Sequence, residues 1–222
     1  LAWCRERGIP FICDATQWLG RLPGSGLGAC DFCFGSAHKF GGPGGVGFLG
    51  GSGTARLNPM QLGGEQESGR RAGTVNLPGV LAMLAALQAH EHALATGEVV
   101  GREAMRVWFE RQLLEALPGA AIVGGEVPRL WNTVAAVMPP GATRHRWVVR
   151  LDRHGVAVST GSACASGREE ISPVLSAMGY EAAAAGRTVR ISAGWETTEA
   201  DWAALLEAIR RIAGLERPAP AV

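Results

Sequence analysis

Long apolar runs, blocks of like charge and an even set of cysteines are all missing from this 222-residue chain. No stretch approaches the ~20 consecutive apolar residues of a membrane-crossing helix, so no membrane span is expected. Lys plus Arg number 21 and Asp plus Glu 20, interspersed, which leaves a net charge of +1. Without a basic stripe or a charged tail, direct binding of nucleic acid is not expected. Five cysteines, at 4, 13, 30, 33 and 164, are an odd number. They do not form a disulfide framework and point to a reducing compartment, the cytoplasm. No signal-peptide pattern opens the chain. It opens instead on Leu1, and residues 1–8 read as the last turns of a helix closed by Gly8. The chain is therefore expected to begin inside a domain, as the carboxyl-terminal portion of a longer protein.

What is present is ordinary for a soluble globular protein: 47% hydrophobic and 18% charged residues, enough to bury a core in one or two domains. The 32 glycines cluster in discrete loops rather than in a repeat, which marks functional turns and not low complexity.

Short apolar runs at 9–13, 29–34 and 46–49 predict three strands of a mixed or parallel sheet covered on both faces. Asn76-Leu77-Pro78 opens a long helix with proline near its first turn. Val80, Met83, Leu84 and Leu87 form its apolar stripe. A second amphipathic segment over Met105, Trp108, Phe109 and Leu113 stops at Pro118-Gly119. The boundary between two domains is placed at Ala95-Thr96-Gly97, giving 1–96 and 97–222. Beyond it, strands are predicted over 120–123, 133–137, 156–159 and 188–191. Helices are predicted over 144–153, 171–178 and 198–212, the last with Thr198 and Asp201 as its capping signal. This is a small α/β domain.

Lys39 carries the first chemical signal. It lies in Gly35-Ser36-Ala37-His38-Lys39-Phe40-Gly41-Gly42-Pro43-Gly44-Gly45, between two apolar strands. A desolvated lysine amine is usable for Schiff-base chemistry. The glycines let backbone pass close to a ligand or make a tight hairpin. Ser36 and His38 offer a hydroxyl and an imidazole suited to a phosphate. No Gly-Lys-Ser/Thr follows a glycine loop, so the segment is not a P-loop. Asp14, in Asp14-Ala15-Thr16-Gln17, ends the first strand, where α/β sheets bind ligands. It reads equally as a helix N-cap. An aspartate and a lysine so placed suit pyridoxal phosphate (PLP), whose pyridinium needs a carboxylate and whose aldehyde needs an amine.

Arg71 and Thr74 stand before a helix start and could form an anion site; composition alone reads the same run as a solvated loop. Cys164, in Ser159-Thr160-Gly161-Ser162-Ala163-Cys164, lies among small residues and reads as an accessible nucleophilic thiol. Cys30 and Cys33 are read as core, their side chains directed to opposite faces of a strand. His90-Glu91-His92 on a helix is assigned no metal.

These stretches, together with Gly63 to Asn76 and Arg190-Ile191-Ser192-Ala193-Gly194, resemble the cysteine desulfurases, PLP enzymes of aminotransferase class V, in order and spacing over nearly the whole chain. The Ser-Thr-Gly-Ser-Ala-Cys loop is similar to that of the group serving iron–sulfur assembly and tRNA thiolation. The resemblance implies fold type I of the PLP-dependent transferases, with part of the large domain and most of the small one. It implies that Lys39 bonds the cofactor, Asp14 pairs with the pyridine nitrogen and Gln17 with the ring hydroxyl. It places Ser36 and His38 at the phosphate and Thr74 at the phosphate of a partner subunit, hence a homodimer. Arg190 would bind the carboxylate of L-cysteine, and Cys164 would take its sulfur and pass it to an acceptor such as an iron–sulfur scaffold protein.

Two departures stand beside it. Glu65 replaces the third glycine before Gln-Glu, and the family's chains are nearly twice this length, so the isolated chain is expected to lack part of the pocket and to be inactive. Rival readings are another class V lyase, such as a selenocysteine lyase, an aminotransferase-like relative, or a non-catalytic dimerisation or scaffold module. Cys164 argues against transamination, which needs no mobile thiol.

Overall fold

A computed structural model describes residues 1–51, 57–141, 144–160 and 172–214. The chain divides into two units, Leu1–Val99 and Val100–Val222.

In the first unit, helix α1 (Ala2–Glu6) ends at Arg7, and Gly8 turns the chain with φ of +63°. The Ile9 amide bonds back to the Cys4 carbonyl at 2.9 Å. Strand β1 therefore starts later than the apolar run predicts, at Ile12–Asp14. Strand β2 (Phe32–Ser36) lies parallel to it with Cys13 beside Cys33. Strand β3 (Gly47–Gly51) runs antiparallel to β2 with Leu49 beside Phe34. The order is β1-β2-β3. A single turn, α2 (Gln66–Gly69), holds Glu67 and Ser68 at positive φ. Helix α3 (Leu77–Ala95) follows, with Asn76 Oδ1 accepting from the Gly79 amide at 3.1 Å.

Alternation along the strands gives the sheet two unlike faces. One carries Cys13, Cys33 and Phe48, packed with Ala86 and Leu87 of α3 around buried Leu19, Phe40 and Met83. The other carries Ile12, Phe34 and Leu49, which stay 60%, 39% and 54% exposed. The expected cover on both faces is thus found on one. Leu84, predicted on the inward stripe of α3, is exposed with Leu77 and Leu81. The helix is apolar on more than one side, so spacing alone does not select its inner face.

Cys30 corrects another expectation. It lies before β2 begins, at the end of a 3-10 turn over Gly24–Ala29, so strand alternation does not apply to it. Cys30 is buried, and the thiol of Cys13 is raised in pKa by burial first and then by Cys30.

Helix α4 (Glu98–Ala116) begins two residues before the second unit and belongs mostly to it. Strands β4 (Ala121–Ile122), β5 (Thr133–Val137), β6 (Ser159–Thr160) and β7 (Thr188–Ser192) form an antiparallel sheet in the order β4-β5-β7-β6. Helices α5 (Arg144–Asp152), α6 (Pro173–Ala177), α7 (Ala182–Ala185) and α8 (Glu199–Ala213) complete it. Val134, Ala136, Val189 and Ile191 pave one sheet face, packing with Phe109 and Leu113 of α4, Leu151 of α5 and Trp202, Leu205 and Ile209 of α8. The Phe109 and Trp202 rings lie 4.7 Å apart. On the opposite face a smaller cluster joins Val137 to Leu175 and Ala185. The capping box is present as predicted: the Asp201 amide donates to the Thr198 hydroxyl, and the Thr198 amide donates to the Asp201 carboxylate at 2.8 Å. A buried ion network holds α4 to the following loop, with Arg106 and Arg129 both on Glu110 at 3.0 and 2.9 Å.

Among the described residues no helix is long and apolar enough to cross a membrane.

Candidate active site

In the first unit the candidate residues gather at the carboxyl ends of β1 and β2. Parallel pairing sets Asp14 beside Phe34, two residues before Ser36. By alternation Asp14 and Ser36 share the open face of the sheet. Asp14 is exposed, and its Oδ1 accepts from the Thr16 amide at 2.9 Å. Hydrogen bonds from Thr16, through its side chain first and its backbone second, hold the Asp14 carboxyl below the usual carboxylate range. No helix follows Asp14, only a run of turns, so this bond closes a local turn and Asp14 is not a helix N-cap. Gln17 follows on the same turn and is exposed.

Ser36 leads into a 3-10 turn, Ala37–Lys39. Ser36 and Lys39 are half-buried and His38 is exposed. The glycine loop is held against this turn. The Ala37 amide donates to the Val46 carbonyl at 2.9 Å, and the Ala37 carbonyl receives the Phe40 and Gly42 amides at 3.0 and 2.9 Å. At Gly42 a Cβ would stand 2.8 Å from the Ala37 Cβ, and at Gly47 it would stand 2.6 Å from the Gly35 carbonyl oxygen. Both positions exclude a side chain, so the loop is packed backbone to backbone beside Lys39.

Thr74 lies exposed in the coil before α3. Arg71 of the predicted anion site is instead engaged by Glu67, Nε to Oε1 at 2.9 Å. His90, set aside as a metal ligand, packs against the glycine turns: its ring is 3.2 Å from a Cβ built at Gly20 and 3.3 Å from one built at Gly41.

In the second unit Arg190 is on β7, half-buried, directly across from Ser159 of β6. Its Nε and Nη2 both donate to Ser159 Oγ, at 3.1 and 2.9 Å. Ser159 opens the predicted cysteine loop. Cys164 itself lies outside the described residues.

Two residues were not singled out from the sequence. In the sequence Ser159 is only the first residue of the loop, and its pairing with Arg190 depends on strand register across 31 residues. Arg21 donates from Nη2 to the Lys39 carbonyl at 2.7 Å. The only local signal for it is its position four residues after Gln17, whose carbonyl it also reaches.

Residues 1–205 match the family model described as Aminotransferase class-V. The chain is 38% identical over 195 residues to a cysteine desulfurase of Klebsiella pneumoniae, covering 87% of this chain and 48% of that protein. It is 38% identical over 215 residues to a cysteine desulfurase of Rhodobacter capsulatus, covering 96% and 55%. The crystal structure of a NifS-like protein from Rickettsia africae superposes with a TM-score of 0.82 at 27% identity, over 95% of this chain and 55% of that one. The chain thus spans about half the length of the curated relatives it matches.

Proposed function

The chain belongs to the class-V aminotransferase family, and from that premise we propose that it carries the lysine, the cysteine and the substrate arginine of a cysteine desulfurase. Its fold is that of the type I PLP-dependent transferases. The observation that carries the reading is the placement of Asp14 and Lys39 at the ends of neighbouring parallel strands.

The residues suit PLP. Asp14 is kept ionised by Thr16, as a partner of a pyridinium nitrogen must be. Lys39 is half-buried on a turn held by its own backbone bonds. Ser36 and His38 bring a hydroxyl and an imidazole for a phosphate, Gln17 an amide for the ring hydroxyl, and Thr74 a hydroxyl for the cofactor of a second copy in a homodimer. When bound, PLP draws electrons from the substrate α-carbon.

Arg190 receives the carboxylate of L-cysteine. Ser159 takes the Nε/Nη2 edge of its guanidinium, and the Nη1/Nη2 edge is the one offered to a planar carboxylate. Lys39 Nζ takes the α-proton. The Cys164 thiolate attacks the substrate sulfur: a sulfur–sulfur bond forms and the carbon–sulfur bond breaks. The β-carbon takes a proton with the electron pair of the broken bond, Lys39 Nζ returns the α-proton to the α-carbon, L-alanine leaves, and the outer sulfur on Cys164 passes to an acceptor protein such as an iron–sulfur scaffold. Cys4, Cys13, Cys30 and Cys33 are free thiols, in keeping with a reducing cytoplasm.

The test uses the full-length protein. Borohydride reduction in the presence of PLP, followed by peptide mapping, places the pyridoxyl group on Lys39, and Cys164→Ala stops sulfide release from L-cysteine while the group stays attached. A pyridoxyl group on another lysine, or sulfide release that survives loss of Cys164, overturns the reading.

A further inference from the structure

The loop that follows β1 and the turn that follows β2 come from separate strands, yet a single side chain bridges them. Arg21 donates from Nη1 to the Gln17 carbonyl at 3.2 Å and from Nη2 to the Lys39 carbonyl at 2.7 Å. Both bonds end on main-chain oxygens, so they act on backbone position rather than on a neighbouring charge. The bond to Lys39 fixes the peptide plane immediately after that residue. A guanidinium is planar and its donors have a set spacing, so the two carbonyls are held at a set separation.

The base from which Arg21 reaches is itself rigid. Leu19, two residues earlier, is buried in the core of the first unit. The Trp18 and Leu19 amides both donate to the Ala15 carbonyl, and the Arg21 and Leu22 amides both donate to the Trp18 carbonyl. Gly20 packs directly on Phe40, the residue after Lys39: a Cβ built at Gly20 would stand 2.7 Å from the Phe40 Cβ. His90 of α3 lies against both Gly20 and Gly41. Arg21 is half-buried, and burial lowers its guanidinium pKa. A buried cation costs desolvation, which is offset here by charge-assisted bonds to the two carbonyls.

We infer that Arg21 is a positioning residue that sets the spacing between the loop bearing Asp14 and Gln17 and the turn bearing Lys39, and with it the grip on a cofactor held by both. This rests on Lys39 being the cofactor lysine. A lysine at position 21 keeps the charge and can reach one carbonyl, but it lacks the planar fork that spans two.

The test compares wild-type full-length protein with Arg21→Ala, Arg21→Lys and Leu27→Ala. Leu27 is a buried core residue of the same unit and serves as a control for lost stability. For each, the dissociation constant for PLP, the rate of pyridoxyl attachment at Lys39 and the melting temperature without cofactor are measured. Arg21→Ala is expected to weaken PLP binding and to slow attachment by about tenfold or more, as loss of a charge-assisted hydrogen bond implies. Arg21→Lys recovers part of that loss. Leu27→Ala lowers the melting temperature at least as far while attaching PLP at near the wild-type rate. Wild-type behaviour of Arg21→Ala overturns the inference alone, as does an equal attachment defect in Leu27→Ala. A wild-type protein whose pyridoxyl group maps to another lysine overturns the functional reading and the inference with it.

Discussion

The two units are held together by different means. In the second, sixteen of the described residues, from three helices, both central strands and the positions just beyond α4 and β5, are buried in one cluster. In the first, the corresponding cluster has six, and one face of its sheet remains exposed. What holds the first unit's loops is main-chain hydrogen bonding, glycine contacts and one arginine. A core tolerates repacking and penalises cavities. A site made of backbone contacts penalises small displacements instead. The unit with less core carries most of the candidate chemistry, in keeping with functional loops being placed on a scaffold rather than inside it.

That contrast can be broken most sharply at Lys39. In full-length protein, Lys39→Ala should abolish covalent PLP attachment and cysteine turnover altogether while leaving the apo melting temperature near wild type. A large fall in that temperature would mean that the lysine turn is part of the core after all. Phe109→Ala tests the other side. Phe109 is fully buried against Trp202, and its truncation should cost about 3–5 kcal/mol. The cost should appear as lost amide protection in α4, β5, β7 and α8. Preserved protection there would show that the large cluster is not what stabilises the second unit.

Arg190→Ala comes next in size. Losing a charge-assisted contact to a carboxylate at a desolvated site costs roughly 2–5 kcal/mol. The apparent affinity for L-cysteine should therefore fall by more than about tenfold; unchanged affinity removes Arg190 from the substrate site. Ser159→Ala frees the Nε/Nη2 edge of Arg190 and should act in the same assay to a smaller extent.

The smallest effect is expected at the start of α8. Thr198→Ala should cost about 1 kcal/mol through the lost cap. Its partner gives a pH signature. Hydrogen bonds from the Thr198 backbone first and hydroxyl second hold the Asp201 carboxyl below its usual value. A depressed carboxylate contributes stability above its unfolded pKa, near 4, and loses that contribution as pH falls through the lower folded value. Asp201→Asn should therefore flatten the acid limb of the stability–pH curve and leave the rest of its shape unchanged.

The sequence was most legible where local signals and burial agreed. Strand 133–137 has the predicted bounds, and α8 starts at the predicted capping box. Helix α8 presents one apolar face to the large core, and strand 133–137 is apolar on both faces, each covered by a cluster. Legibility failed where long-range bonds decide. The apolar run from Ile9 predicts a strand, but the Ile9 amide closes α1. The apolar run predicts a strand from residue 29, but residues 29–30 end a 3-10 turn, and β2 begins only after Asp31 takes the Phe11 amide at 2.8 Å. Helix α7 is four residues long and leaves no periodicity to detect. At the candidate site, Asp14, Ser36 and Lys39 stand out in the sequence because their neighbours form compact motifs. Arg21 does not, because its contact with Lys39 spans 18 residues.

The packing of the glycine loop also determines which changes the gene can accept. At Gly42 and Gly47 the first carbon of any side chain would collide with the Ala37 methyl or the Gly35 carbonyl oxygen, whereas at Gly44 the same atom would meet nothing within 4 Å. Nearby codons of the loop and the strand that ends it therefore have unlike latitude: variation should accumulate at position 44 and be purged at 42 and 47. A library of single substitutions, selected for function and sequenced, would show these two glycines as fixed points beside a permissive one, marking out the backbone contacts that seat Lys39.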